Sequence, residues 1–148
     1  MSKIEAINIT NKSDQVTFYV NQAYLEKNKG IINDRYYENF KDKKEQVTLI
    51  EIEEIELFNK LTGIELDYKD FRRNIIISNF KICEMIGQKI KINDVILKIH
   101  EICQPCNYLQ KKLNSPNLVK KLVNKSGVRA EILSSGYINI GSKITKIK

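Results

Sequence analysis

A mainly β domain with short helices (α+β) is the fold class this sequence predicts, and three observations predict it. Strand-like runs dominate, at 3–10, 15–20, 46–50, 88–92, 95–102, 127–133 and 138–147. Polar turn signals separate them, among them Asn11-Lys12-Ser13-Asp14 and Asn93-Asp94. No regular alternation of strands with long helices runs through the chain, so a barrel suits it better than a doubly wound sheet.

Each element has a local reason. The opening run 3–10 reads as an alternating strand with one buried face, and 15–20 as its hairpin partner. From 21 to 44 the pattern loosens around Gly30 and Asn33-Asp34-Arg35-Tyr36-Tyr37, which reads as a long binding loop. The strand at 46–50 runs into a helix whose Ile55, Phe58 and Leu61 share one face. Acids fill its first turns and Gly63 closes it. Arg72-Arg73-Asn74 lead into the apolar run Ile75-Ile76-Ile77. Two strands joined at Asn93-Asp94 end in Cys103-Gln104-Pro105-Cys106, which is followed by helix-like pieces at 107–113 and 117–123. The runs at 127–133 and 138–147 read as closing strands.

Length and composition set the bounds. The 148 residues fit a single domain, 1–148, large enough to bury a core without staples. Met1 to Thr10 lacks the pattern of a secretory signal, the three cysteines are an odd number, and no apolar run is long enough for a bilayer. A soluble cytoplasmic protein with no membrane partner is the expectation. The charge of +7 comes from scattered lysines without an aromatic-studded stripe, which argues against nucleic acid as a partner. Only Arg35, Arg72, Arg73 and Arg129 are arginines, the residue type that grips oxyanions with a planar fork.

The cysteine turn is where the chemistry is expected. A thiolate behind a strand and ahead of a helix can ligate a soft metal, carry sulfane sulfur or cycle as a disulfide. Cys106 follows Pro105 at that junction, Cys103 assists or packs, and Cys83 reads as core. A zinc site would need Cys83 and His100 to complete the pair, and His100 reads instead as a half-exposed strand residue. A thioredoxin-like reading shares the Cys-Gln-Pro-Cys string but lacks the alternating parallel strands.

In order and spacing, "KIEAINIT", "GIINDRYYENF", "EQVTLIEIEEIELFNKLTGIEL", "FRRNIIIS", "IGQKIKINDVILKI", "CQPCNYL", "GVRAEIL" and "GYINIGSKI" together resemble a MOSC domain, the module of molybdenum-cofactor sulfurases and of small stand-alone bacterial proteins. The resemblance covers nearly the whole chain. It implies a β-barrel-like fold that binds a molybdopterin-type cofactor, with Cys106 as thiolate ligand or persulfide carrier. Arg35 and Arg72-Arg73-Asn74 match the family's motifs. These, with Arg129, are expected to contact the cofactor because bidentate guanidiniums suit phosphate and amide nitrogens suit heterocycle edges, surface ion pairing being the alternative, while Cys103 assists beside Cys106. Asn33 stands where many relatives have glycine, and asparagine tolerates the left-handed angles such a turn needs. The pyridoxal-phosphate domain of the large sulfurases is missing, so no lysine Schiff base is implied. Two functions follow as expectations: reduction of N-hydroxylated compounds, or delivery of sulfur or cofactor to a partner enzyme, with a reductase as a further partner of the enzymatic form.

Overall fold

The structure is a computed structural model that describes residues 1–12, 16–63, 65–103 and 126–147. Eleven strands and one α-helix appear among these residues. Strands β1 (Lys3–Thr10) and β2 (Thr17–Val20) form the expected hairpin, with Ile7 opposite Val20. β1 is buried on both faces rather than one. A register shift between Ile4 and Ala6 against its other neighbour turns Ile4, Ile7 and Ile9 all into the main core, while Ala6 packs in a second cluster.

The stretch read as one long loop holds two short strands, β3 (Gln22–Glu26) and β4 (Gly30–Ile31). Ala23, Leu25 and Ile31 are buried, so this segment carries its own core contacts. The loop proper is 32–42, and Asn33 adopts the left-handed angle expected of it, at φ 77°.

β5 (Val47–Glu51) and β6 (Ile75–Ser78) run parallel, and a parallel pair needs a crossover. Helix α1 (Ile52–Thr62) supplies it and ends at Gly63, whose φ of 72° closes the helix as expected. Ile55 and Phe58 are buried against Ile50, Phe71 and Ile76, while Leu61 is 62 % exposed. The expected three-residue face is therefore two residues wide. Phe58 meets Phe71 edge to face, with centroids 6.2 Å apart.

β7 (Lys89–Ile92) and β8 (Val95–Ile102) pair through a turn in which Asn93 has φ 54°. β9 (Val128–Ser134) lies between β8 and β5. The single closing strand expected at 138–147 is two strands. β10 (Gly136–Asn139) pairs with β3, the chain turns at Gly141, and β11 (Ile144–Ile147) pairs with β7.

The large sheet has the order β11-β7-β8-β9-β5-β6-β1-β2, and β10-β3-β4 form a small one. This order is open, so the sequence-predicted barrel is not present as a closed ladder. Among the described residues its two sides meet where segment 141–144 lies on Ser2 to Ile4, through the bridge Lys3↔Lys143 and bonds such as that from Ile4 N to Ser142 O at 2.9 Å. The main core gathers Ile4, Leu49, Ile75, Leu97, Ile99 and Ile132 of the large sheet with Leu25 of the small one, all fully buried. Each such side chain contributes about 1.5–3 kcal/mol relative to exposure. Among the described residues no helix is long and apolar enough to cross a membrane.

Candidate functional site

The strand β8 ends at Ile102, and Cys103 follows with its N–H bonded to Gly127 O at 2.8 Å. That bond joins the cysteine turn to the start of β9. Its thiol is buried, at 2 % exposure. Two guanidinium groups bear on it. Arg129, opposite Glu101 on β9, donates to the Cys103 sulfur and, through Nη1, to Glu101 Oε1 at 3.1 Å. Arg73, itself buried, bears on the same sulfur by its charge and donates Nε–H to Ser126 O at 2.7 Å.

The electrostatics follow from this placement. Burial raises the Cys103 thiol above its ordinary pKa, and Arg73 and Arg129 oppose the shift without cancelling it. The thiol therefore keeps its proton at neutral pH. Burial alone would lower Arg129, but the negative groups around it, Cys103 when ionised and Glu101, outweigh burial and raise it. Lys44 adds a further positive charge 3.4 Å from Glu101.

Behind these side chains sits a buried polar knot. Asp34 accepts from Thr10 N at 3.0 Å, from Tyr36 N at 3.3 Å and from Asn74 Nδ2 at 3.3 Å. Asn74 Nδ2 also donates to Asn8 O at 3.2 Å, and its Oδ1 accepts from Thr48 N and Oγ1 at 3.0 and 3.1 Å. Asn8 Nδ2 donates to Arg73 O at 3.0 Å. Burial raises the Asp34 pKa, against the bonds from Thr10 and Tyr36 and the charge of Arg35.

The residues proposed from the sequence are distributed unequally around this centre. Cys103, Arg73 and Arg129 converge. Asn74 lies next to Arg73, with its amide engaged by protein partners. Arg35 joins through the loop: its N–H donates to Thr10 O at 2.7 Å and its guanidinium lies 4.8 Å from the Tyr36 ring centroid. Arg72 is not on a strand. It ends the 3-10 turn Tyr68–Phe71 at φ 55°, with its N–H on Lys69 O. Cys106 and the helical pieces expected at 107–113 and 117–123 lie outside the described residues. Cys83 packs against the main core but is only half-buried, and its surroundings push its pKa up to about 11, chiefly by burial and then by Glu51 and Glu54. His100 lies on β8 as expected, but its side chain is mostly buried, at 18 % exposure, with Nε2 2.9 Å from Glu131 Oε1.

Sequence reading missed Asn8, Thr48 and the carboxylate of Asp34. Their signal is a polar residue inside an otherwise apolar strand, such as Asn8 between Ile7 and Ile9. A polar group there is buried and needs partners.

Comparison with known proteins bears on the fold and the family. The YUAD protein from Bacillus subtilis superposes with a TM-score of 0.81 at 17 % identity, over 97 % of this chain and 94 % of that one. YiiM from Geobacillus stearothermophilus gives 0.77 at 17 % identity, over 100 % of this chain and 76 % of that one. YiiM from Escherichia coli gives 0.75 at 11 % identity, over 99 % and 70 %. No curated protein sequence matches the chain. These likenesses establish the fold, and the family profile described as "MOSC domain" matches residues 35–145. With three-quarters of its length matched, the chain belongs to the MOSC domain family.

Proposed function

We propose that the protein binds a molybdopterin-type cofactor beside Cys103, with Cys106 as the thiolate ligand to molybdenum or as a persulfide carrier. The observation that supports this most is the convergence of Arg73 and Arg129 on one buried thiol, three residues ahead of Cys106. The donor set fits. Two guanidiniums suit phosphate oxygens, sulfur ligands suit a soft metal, and the buried surroundings strengthen each charge-assisted bond. When bound, such a cofactor supplies oxidation and reduction at molybdenum.

The chain's own residues divide the remaining work. Arg73 and Arg129 bind and orient an anionic group. Arg35 adds charge from its loop, and Arg72 lies one residue outside. Asn74 holds the backbone of this centre in place. Cys103 holds its proton on Sγ at neutral pH, so the more activated thiolate role falls to Cys106. The enzymatic form of this reading is reduction of N-hydroxylated compounds with electrons from a partner reductase. The carrier form is delivery of sulfur or cofactor to a partner enzyme in the cytoplasm.

Elemental analysis of protein expressed in a molybdate-replete host tests the reading. Molybdenum or sulfane sulfur is expected in the wild type and lost in Cys106→Ser with the fold intact. Retention of both in that variant overturns the role of Cys106. Turnover of a hydroxylamine-type substrate by loaded protein selects the enzyme, and loading without turnover selects the carrier. Arg73→Lys keeps the charge but loses the fork, and is expected to weaken retention by about 1–3 kcal/mol.

A further inference from the structure

Three members of the buried polar knot each adjoin an arginine of the site or of its loop. Asp34 precedes Arg35 in the chain, Asn74 follows Arg73, and Thr48 faces Arg129 directly across the β5–β9 ladder. Side chains opposite one another on antiparallel strands share a face, so the Thr48 side chain stands beside the Arg129 stem. Asp34 lies at the centre of this set.

We propose that Asp34 is a positioning residue which, through Asn74 and Thr48, fixes Arg35, Arg73 and Arg129 as one anion-gripping group. This rests on the cofactor reading for the identity of the anion, but not for the positioning itself. The hydrogen bonds carry the argument. The peptide between Arg73 and Asn74 is held at both ends by side chains: its carbonyl accepts from Asn8 Nδ2 at 3.0 Å, and its N–H donates to Thr48 Oγ1 at 2.9 Å. A second peptide, between Asp34 and Arg35, donates its N–H to Thr10 O at 2.7 Å, while Thr10 N–H returns to Asp34 Oδ1 at 3.0 Å. The contact of Asp34 with Asn74 joins the two held peptides across forty residues of sequence.

Why a carboxylate stands here follows from the count of donors. Three N–H groups point at Asp34, from Thr10, Tyr36 and Asn74, and a carboxylate is an acceptor at both oxygens. Thr10 N–H and the Asn74 amide share Oδ1 and Tyr36 N–H takes Oδ2, so an asparagine would turn an N–H₂ either toward Tyr36 or toward Thr10 and Asn74 together. The mismatch would release either the loop at Tyr36 or the amide of Asn74, and with it the orientation of Arg35 or Arg73. Asp34 itself is 4 % exposed and bonded on every side by protein, so its effect on a ligand is indirect.

The test reads the arginines directly in the unliganded full chain. The Nε–H of Arg73, buried on Ser126 O, gives a proton resonance protected from solvent exchange. In Asp34→Asn and in Thr48→Val, protein that remains folded by circular dichroism should lose that protection by about tenfold or more, and the Arg35 and Arg129 signals should shift with it. Asp34→Glu, which restores the acceptors, should recover part of the protection. Unchanged protection in folded Asp34→Asn and Thr48→Val overturns the proposal. If Asp34→Asn does not fold, Thr48→Val decides; if neither folds, the knot is structural and positioning is likewise overturned. A separate titration with inorganic pyrophosphate tests the anion. Absence of wild-type binding counts against the cofactor reading while the resonance data stand on their own.

Discussion

A Cβ added at Gly127 would lie 2.1 Å from the carbonyl oxygen of Leu49. Glycine is required there twice over, because its φ is +93° as well. The close approach matters beyond packing. Gly127 O receives the N–H of Cys103, and the preceding Ser126 O receives Arg73 Nε, so two groups of the site hang on this one backbone crossing.

Gly127→Ala is therefore expected to destabilise the fold by upward of about 2 kcal/mol, combining overpacking with a left-handed angle on a residue that has a Cβ. Urea unfolding measures it. A variant with wild-type midpoint and slope would show that the β5–β9 crossing relaxes freely.

The three cysteines should react in an order that the sequence alone puts differently. Sequence position makes Cys83 the slowest, as a core residue. The structure makes it Cys103, which is 2 % exposed and held by Arg129, whereas Cys83 is half-buried with a pKa near 11. Alkylation of folded protein at neutral pH should label Cys106 first, Cys83 slowly and Cys103 last, with Cys83 accelerating as pH climbs toward 11. Peptide mass spectrometry finding Cys103 modified ahead of Cys83 would contradict the burial argument.

These cases show what was legible in the chain. The hairpins, α1 with its Gly63 end and the Asn93 turn are local, and each follows from a signal a few residues long. The β3–β10 pairing is not local: Tyr24 meets Tyr137 across the small sheet, and nothing near either residue announces the partner. Leu61 misleads for a related reason, since helical spacing gives a face but not how far the covering strands extend. In the site, the arginines stood out by rarity. Asp34 did not, because an exposed turn carboxylate and a buried one read alike until Thr10 and Asn74 are brought beside it.

Glu51 provides a pH test. Its carboxylate is 5 % exposed at the start of α1, faces Lys81 at 4.0 Å, accepts the N–H of Cys83 and has Glu53 and Glu54 nearby. Burial raises its pKa above the ordinary 4.5, with Lys81 opposing. A carboxyl whose folded pKa is raised adds stability that is fully present below the unfolded pKa and lost as pH rises through the folded one. The stability of wild type relative to Glu51→Gln should accordingly fall as pH rises from about 4.5 and then level off. Urea unfolding from pH 4 to pH 8, with a difference that grows instead, would mean that Lys81 dominates over burial.

The C-terminal strands should be unequal when removed. Truncation before Gly136 strips β10 from β3 and β11 from β7, and exposes the cavities left by Ile138 and Ile144, both buried. Truncation after Gly141 keeps β10 on β3 and removes β11 with the bridge to Lys3 and the bonds of Ser142 to Ile4, Asn93 and Asn139. The edge this second cut exposes, β7, carries Lys89 and Lys91 pointing to solvent, and lysines on an edge strand discourage pairing with another chain. The edge that only the first cut exposes, β3, instead presents Tyr24 without its ring partner Tyr137. The longer truncation should aggregate, whereas the shorter should stay soluble with a lowered unfolding midpoint. Light scattering and urea unfolding separate the two. Equal aggregation of both would show that β11 closure, rather than the β3–β10 pairing, keeps the chain from aggregating.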